Sequence, residues 1–244
     1  MSNIKADGIV LRRVNYGEND RMVTLLTPVL GLVSVSARGS RKITSRNLTA
    51  TELFATGEYL LYQKGERYTL TSFQLNESYY PIRTDVDRLS HGAYWLGLCE
   101  AVSQPGQDCG RLFKMLLLSL AVLAYGSLPP RGLTAVFLAQ FSMLQGFAPM
   151  LDRCIVCGRE PDQRMRFDVA GGGVRCAACG GGGLLMTEGD LAWMREAQAQ
   201  GAFALAGRRG LPEGDFQAVE AAFAILRAHV EYRIEKHISS SRFL

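Results

Sequence analysis

The sequence lacks the motifs by which catalytic sites are commonly recognised. It has no Gly-x-x-x-x-Gly-Lys-Ser/Thr phosphate loop, no Gly-x-Gly-x-x-Gly after a predicted strand and no paired-carboxylate motif. Its three histidines, His91, His229 and His237, lie in helical patterns without a nucleophile at a recognisable spacing, as is typical of helix-surface histidines. We therefore expect a protein that is not an enzyme.

Long apolar runs and a strong net charge are also missing. The most apolar stretch, residues 115–125, is shorter than the roughly twenty residues that a membrane helix needs. The first five residues form no apolar signal segment, so we expect a cytoplasmic protein without a membrane partner. The formal charge of +4 is too small to identify a partner, although residues 1–80 carry ten basic and seven acidic residues.

Four of the six cysteines form two Cys-x-x-Cys pairs, Cys154 with Cys157 and Cys176 with Cys179. A Gly-rich connection between such pairs lets four thiolates surround one tetrahedral ion, so the spacing predicts one Zn²⁺. A four-thiolate site leaves no position for water, which indicates a structural ion and not a catalytic one. A redox-active Cys-x-x-Cys motif is the alternative interpretation of these cysteines. Structural disulfides are disfavoured because the cytosol is reducing.

The other two cysteines, Cys99 and Cys109, lie in apolar helical patterns away from these pairs. Cysteine in such surroundings behaves as a small hydrophobic residue. We expect both to be buried and to take no part in metal binding.

The first eighty residues have the pattern of short strands separated by turn residues. The predicted strands are residues 8–14, 21–27, 32–37, 57–62 and 67–73. Five closely spaced strands with a long connection between the third and fourth predict a five-stranded OB-type β-barrel.

That long connection, residues 38–47, is called the basic loop here. Between Asp20 and Glu52 the chain has no acidic residue but five basic ones: Arg21, Arg38, Arg41, Lys42 and Arg46. Four of them lie in the basic loop among glycine and small hydroxyl residues, which predicts contact with nucleic-acid phosphates. A solvated loop that is basic by chance is the alternative. Tyr16, Tyr59, Tyr62 and Tyr68 are candidates for base stacking, for the barrel core or for ordinary surface.

After residue 80 the period changes to that of amphipathic and apolar helices. Helices are predicted at residues 85–102, with Thr84 or Asp85 as cap, and at 108–125, 130–146, 191–200 and 215–237. The segment from Thr187 to Asp190 resembles a helix start signal. Residues 207–214 are predicted to form a basic Gly-rich loop containing Arg208 and Arg209. The residues after 238 are expected to be loose.

These patterns predict a multidomain α+β protein. The expected domains are an OB-fold DNA-binding domain (1–80), a first helical part (81–150), a zinc-binding module (151–182) and a C-terminal helical part (183–244). The module is thus an insertion in helical structure.

Several segments of the chain resemble the bacterial recombination-mediator family RecO. They are residues 8–11 (Gly-Ile-Val-Leu), 16–20 (Tyr-Gly-Glu-Asn-Asp), 25–27 (Leu-Leu-Thr), Gly31, 37–42 (Ala-Arg-Gly-Ser-Arg-Lys), 52–54 (Glu-Leu-Phe) and 77–80 (Glu-Ser-Tyr-Tyr). The order of barrel, helices, four-cysteine module and helix also matches that family. The resemblance covers essentially the whole chain, and the N-terminal segments are more specific than the last fifty residues.

The resemblance implies an OB fold followed by a helical domain with a zinc motif. It further implies DNA repair and recombination through binding of single- and double-stranded DNA, annealing of complementary strands, and loading of RecA together with RecR onto DNA coated by single-strand-binding protein. Such a protein is expected to be associated with the nucleoid.

Matched residue by residue, the resemblance assigns DNA contacts to Arg38, Arg41 and Lys42 and zinc ligands to the four cysteines. The family also binds the acidic, hydrophobic-ended tail of single-strand-binding protein on its helical domain, for which Arg111, Lys114 and Arg131 are candidates. Two alternatives are a zinc-dependent nucleic-acid enzyme and a protein adaptor without direct DNA contact.

Overall fold

The computed structural model describes residues 2–161, 164–206, 216–236 and 238–244. The chain divides into two compact units. The first unit runs from the start of the chain to Leu117 and includes Ile238–Leu244, and the second comprises the intervening residues 118–237. The predicted Gly-rich loop with Arg208 and Arg209 lies outside the described residues, as does His237.

Five strands form a closed barrel in the first unit. Their bounds are Ser2–Tyr16 (β1), Asp20–Thr27 (β2), Gly31–Ala37 (β3), Thr56–Lys64 (β4) and Arg67–Glu77 (β5). The strand order is β1-β2-β3-β5-β4, and β4 pairs back with β1. All strand pairs are antiparallel except β3 with β5, which pair in parallel through Val35–Tyr68 and Ser36–Thr69. The predicted five-stranded OB-type barrel is confirmed.

Alternating apolar side chains fill the interior of the barrel. Val23 and Leu25 of β2, and Val33 and Val35 of β3, each keep at most 3% of their surface exposed. Because successive residues of a strand face opposite sides, this period of two directs one set of side chains inward. Burying each such side chain contributes about 1.5–3 kcal/mol before the entropy of ordering the chain is subtracted.

Three helices follow the barrel. They are Tyr80–Thr84 (α1), Val86–Val102 (α2) and Gly110–Tyr125 (α3), the last of which begins in the first unit and continues into the second. The Asp85 carboxylate accepts hydrogen bonds from the backbone N–H groups of Asp87 (3.0 Å) and Arg88 (3.1 Å) at the start of α2. The predicted cap at Asp85 is therefore confirmed.

Gly31 lets the β2–β3 turn pack closely against the connection between α2 and α3. Its φ is +66°, and a Cβ at this position would collide with the backbone of Gln104. The Leu32 N–H donates to the Gln104 carbonyl (3.2 Å), and the Gly106 N–H donates to the Leu30 carbonyl (2.8 Å). The barrel and the helical connection of the first unit are thus joined through their backbones.

The end of the chain packs on α2 within the first unit, so the expectation of a loose tip is wrong. Ile238 keeps 6% of its surface exposed and lies where a Cβ on Gly97 would otherwise stand. A short 3₁₀ helix, Ser239–Phe243, follows, and the Ser240 hydroxyl donates to the Ala93 carbonyl (3.2 Å). The packing depends on a helical glycine about 140 residues earlier, which local sequence patterns do not show.

In the described part of the second unit there are three further α-helices, Pro130–Leu144 (α4), Glu188–Ala206 (α5) and Phe216–Ile234 (α6), which pack against one another. The Gln140 amide of α4 donates to the carbonyls of Ala197 (2.6 Å) and Gln198 (3.0 Å) on α5. At the start of α5, Thr187 and Asp190 each accept a hydrogen bond from the other's backbone N–H. The predicted start signal is confirmed as a reciprocal cap.

A small antiparallel sheet lies between α4 and α5 in the sequence. Its strands are Met165–Asp168 (β6), Gly173–Arg175 (β7) and Leu184–Met186 (β8), in the order β7-β6-β8. The sequence patterns predict only Gly-rich loops here, because three or four residues are too few to reveal a period of two. The sheet gives the cysteine-rich module a framework of its own.

His229 of α6 is buried at the junction between this sheet and the helices of the second unit. Its Nε2 lies 2.8 Å from the Phe147 carbonyl oxygen, and its ring makes an edge contact with Phe167 of β6, centroid to centroid 5.6 Å. Burial lowers the pKa of His229, the carbonyl of Phe147 raises it in part, and the positive charge of Arg233 lowers it further. The imidazole is therefore neutral in the folded protein at neutral pH.

We predict that His229 makes the stability of the protein pH-dependent. The unfolded chain binds a proton at the ordinary histidine pKa of about 6.5, whereas the folded state resists protonation, so stability is lost as the pH falls below about 6.5. The substitution His229→Gln should reduce this loss when thermal unfolding midpoints are compared between about pH 7 and pH 5. Each protein is referenced to its own midpoint at pH 8, and equal losses in both would contradict the prediction.

Candidate metal centre and basic loop

The four predicted cysteine ligands form one cluster in the second unit. Their Sγ atoms lie within 4.8 Å of one another, and those of Cys157 and Cys176, one from each pair, are 3.6 Å apart. Four sulfurs placed about 2.3 Å from a tetrahedral zinc lie about 3.8 Å from one another. The cluster therefore has the spacing and the donor set that fit a zinc ion.

Each cysteine pair lies in a tight turn that ends at a glycine. The Gly158 N–H donates to the Cys154 carbonyl (2.9 Å), and the Cys179 N–H donates to the Cys176 carbonyl (3.2 Å). Gly158 and Gly180 have φ values of +72° and +57°, a conformation that costs glycine little. The turns explain why a glycine follows the second cysteine of each pair.

Hydrogen bonds within the cluster separate the acidities of its thiols. The Cys176 N–H donates to the Cys154 sulfur (3.4 Å) and lowers the pKa of that thiol to about 6. Side-chain hydrogen bonding with Cys157 and then with Cys176 raises the pKa of Cys179 to about 12. The Cys154 thiolate therefore forms readily, and a bound divalent cation would displace the proton that Cys179 retains.

The basic loop presents its cations to solvent on the first unit. Arg38, Arg41, Lys42 and Arg46 are all exposed, and the neighbouring Ile43 is 95% exposed. Since the loop contains no acidic residue, these cations have no carboxylate within their own segment. The loop is therefore a concentrated positive surface at one end of the barrel.

Hydrogen bonds hold the start of the basic loop against the β1–β2 turn. The Gly39 N–H donates to the Asp20 carboxylate (2.7 Å), and the Arg41 N–H donates to the Asn19 carbonyl (3.0 Å). The Arg41 guanidinium also donates to the Gly17 carbonyl (2.9 Å). These hydrogen bonds fix the position of the first residues of the loop. Most of its charged side chains remain exposed to solvent.

Arg21, the fifth predicted contact, is placed differently. Its Nη1 lies 2.8 Å from the Thr51 hydroxyl and 2.9 Å from the Glu52 carboxylate, and its side chain is 13% exposed. Its charge is already paired, so it is the least available of the five to an outside phosphate.

Two arginines that sequence reasoning did not single out also contact Glu52. Arg13 of β1 pairs with one carboxylate oxygen, and Arg83 of α1 lies 3.9 Å from the same oxygen. These residues are far apart in the sequence, and only the folding of the barrel and the first helices brings them together. Neither residue spacing nor local charge density in the sequence indicates that these arginines meet at Glu52.

The four tyrosines considered for base stacking have different surroundings. Tyr59 is fully buried in the barrel core, with its hydroxyl 3.2 Å from the Ala50 carbonyl oxygen. Tyr16 is 66% exposed and Tyr62 is 37% exposed, whereas Tyr68 is half-buried. Tyr59 is therefore a core residue, and Tyr16 is the most accessible of the four.

The three candidate partner-binding residues do not lie in one unit. Arg111 and Lys114 are exposed one turn apart on α3 in the first unit. Arg131 of the second unit lies 2.6 Å from the Glu220 carboxylate, and its guanidinium is 4.4 Å from the centre of the Phe223 ring. Arg131 is therefore engaged within its own unit.

Comparison with family models covers nearly the whole chain. Residues 1–79 match the model described as Recombination protein O N terminal, and residues 83–242 match the one described as Recombination protein O C terminal. The chain belongs to the RecO family. RecO family membership places it in DNA repair and recombination and implies DNA and components of the recombination machinery as partners.

Curated RecO relatives from several bacteria support this assignment. The DNA repair protein RecO of Anaeromyxobacter sp. strain K is 32% identical over 250 residues, which cover 100% of this chain and 96% of the relative. The proteins of the same name from Acetivibrio thermocellus and an Exiguobacterium species are 32% and 36% identical, over 73% and 71% of this chain and 71% and 69% of their own lengths.

Within the part of this RecO chain that the structure describes, no helix has both the length and the apolar character needed to cross a membrane. The predicted burial of Cys99 and Cys109 is confirmed, since they keep 0% and 3% of their surfaces exposed.

We predict that Cys154→Ser lowers the zinc content from about one ion per chain to near zero, because three thiolates bind zinc much more weakly than four. The readout is metal analysis of the purified protein, together with limited proteolysis within residues 151–182. Cys99→Ala is the matched control because it removes a buried thiol outside the cluster. Zinc retained by Cys154→Ser at the wild-type level would contradict the assignment.

Proposed function

We propose that this RecO family member is a non-enzymatic mediator of DNA repair and recombination. On this proposal it binds single- and double-stranded DNA, anneals complementary strands and, with RecR, helps to load RecA onto DNA coated by single-strand-binding protein. It would do so in the cytoplasm, in association with the nucleoid. The observation that carries the DNA-binding part is the exposed, acid-free basic loop held against the β1–β2 turn.

The chemistry of the loop favours binding to the DNA backbone without reading of sequence. Arg38, Arg41, Lys42 and Arg46 offer cationic N–H donors that suit phosphate oxygens. Neutralising phosphates releases condensed counterions, so affinity depends strongly on salt. Charge neutralisation on two complementary strands also lowers their mutual repulsion, which promotes annealing without a covalent step.

We propose that the four cysteines hold one zinc ion with a structural role. Cys154, Cys157, Cys176 and Cys179 would supply all four ligands and leave no coordination position for water or substrate. When bound, the ion would cross-link the two turns that carry the cysteine pairs. A catalytic zinc would require a position open to water, whereas four thiolate ligands would fill every position of a tetrahedral ion.

We predict that replacing Arg38, Arg41 and Lys42 together by alanine weakens DNA binding irrespective of sequence. Three phosphate contacts to a single strand contribute about two units to the slope of log K against log salt, and the variant should lose that contribution. Fluorescence anisotropy with several unrelated oligonucleotides at a series of salt concentrations measures both affinity and slope.

The control for this variant removes the same charge elsewhere on the first unit. Lys5, Arg111 and Lys114 are exposed cations outside the basic loop, and changing all three to alanine leaves the loop intact. The control should keep most of the wild-type slope. Equal losses in the two variants would indicate that net charge, and not the basic loop, sets the affinity.

A separate prediction concerns the proposed partner. If the acidic tail of single-strand-binding protein recruits this chain, annealing of strands coated by that protein should slow markedly when the tail is deleted, whereas annealing of bare strands should not change. Arg111→Glu with Lys114→Glu tests the first unit, and Arg131→Glu tests the second. Annealing that is independent of the tail would exclude the partner and leave the DNA-binding proposal intact.

A further inference from the structure

One carboxylate, that of Glu52, gathers three arginines from different parts of the first unit. Arg21 lies 2.9 Å from one of its oxygens, while Arg13 and Arg83 approach the other, Arg83 at 3.9 Å. This group is called the Glu52 cluster. It carries three guanidinium charges and one carboxylate charge, so two positive charges are left without a counter-charge inside the cluster.

The hydrogen-bonding capacity of the Glu52 cluster is equally unbalanced. Each guanidinium has five N–H donors, whereas one carboxylate offers roughly four acceptor sites. Arg21 uses the Thr51 hydroxyl as a second acceptor, and within the described residues its buried Nε has no partner. The cluster therefore has more donors than its own carboxylate can accept from, and phosphate binds guanidinium groups in the same paired manner as a carboxylate.

The cluster reaches the surface through two of its arginines. The side chains of Arg13 and Arg83 are 35% and 23% exposed, whereas that of Arg21 is 13% exposed and forms the base of the group. The Arg83 guanidinium also lies 5.7 Å from the centre of the Tyr80 ring, which restricts its orientation. An anion arriving from solvent would meet two guanidinium groups that are already held in place.

The Glu52 cluster is continuous with the basic loop. Arg21 pairs across the β2–β3 ladder with Ala37, the residue directly before Arg38. Glu52 directly follows the 3₁₀ turn Thr49–Thr51, which lies in the same connection between β3 and β4. A strand whose phosphates contact the basic loop therefore has the cluster beside it along the same end of the barrel.

We propose that Arg13 and Arg83 form a second subsite for backbone phosphates of a nucleic-acid strand, with Glu52 as the internal counter-ion that positions them and moderates their affinity. This inference rests on the proposed DNA-binding function. It extends the interface from the basic loop to β1 and α1. The occupant is a phosphodiester of a strand and not a free phosphate ion, because the neighbouring loop supplies the contacts that hold adjacent phosphates.

The test is the double variant Arg13→Gln with Arg83→Gln, measured by salt titration with a single-stranded oligonucleotide. Loss of two phosphate contacts should lower the salt slope by about 1.4 units, so that the loss of affinity between 50 and 200 mM salt becomes roughly sevenfold smaller. An unchanged slope in the folded double variant would overturn the proposal.

The matched control is Arg12→Gln with Arg88→Gln, which removes the same charge from the first unit. Arg12 donates to Glu100 at 2.8 Å and Arg88 lies 3.6 Å from Asp85, so each has its own carboxylate. The control should retain the wild-type slope within about half a unit, since each of its arginines has a carboxylate to itself, whereas the three arginines of the Glu52 cluster share one. A loss equal to that of the test variant would attribute the effect to net charge and overturn the subsite.

Glu52→Gln gives a prediction of opposite sign. Removing the counter-ion leaves the three arginines unopposed, so the slope should rise by about 0.7 units for the additional phosphate contact on a single strand. Circular dichroism establishes whether this variant folds; if it does not, the arginine double variant decides. A folded Glu52→Gln protein with an unchanged or smaller slope would contradict the role given to Glu52.

Two further arms separate the possible outcomes. Adding inorganic phosphate at constant ionic strength tests for a free-anion site. If phosphate raises the melting temperature of the wild type but not of the arginine double variant, and the two proteins have the same salt slope for DNA, the occupant is a small anion and not a strand. Failure of the wild type to bind DNA at low salt would refute the proposed function itself. Loss of slope only in the basic-loop variant would refute this inference alone.

Discussion

The short parallel pairing between β3 and β5 is the constraint from which the placement of the basic loop in the first unit follows. Only Val35–Tyr68 and Ser36–Thr69 join these strands, and without them the barrel would remain open. A chain that leaves β3 and must place β5 parallel to it needs a long connection and an intervening strand. The basic loop is the first part of that connection, so barrel closure itself places it at the end of the barrel.

The same connection also supplies Glu52, the centre of the second group of cations. After the basic loop the chain makes the 3₁₀ turn Thr49–Thr51 and reaches Glu52 before entering β4. Glu52 then contacts Arg13 of β1, Arg21 of β2 and Arg83 of α1. The two sets of cations are thus products of one topological requirement, although one is local in sequence and the other is not.

Features that depend on local periodicity or spacing were predictable from the sequence. The five strands follow from alternation, the cap of α2 from Asp85, and the four-cysteine cluster from two Cys-x-x-Cys pairs. The sheet β7-β6-β8 was not predictable because its strands are too short, and the packing of Ile238 was not because it depends on a distant glycine. Sequence patterns reveal structure formed by residues that are close together along the chain. These two features are not visible in such patterns.

The five basic residues counted between Asp20 and Glu52 illustrate the same limit in electrostatic terms. A count of charges along the chain gives Arg21 and Arg38 the same weight. In the structure, however, Arg21 is largely buried against Glu52, whereas Arg38 is exposed. An ion pair in partly buried surroundings is weakly screened, so the free energy gained by exchanging its carboxylate for an outside phosphate is small. An exposed, unopposed cation gains the full contribution of counterion release. The positive charge of this unit is therefore better measured by how far the cations outnumber the carboxylates that they contact than by the number of cations alone. By that measure the basic loop and the surplus on the Glu52 cluster together form the electrostatic face of the barrel.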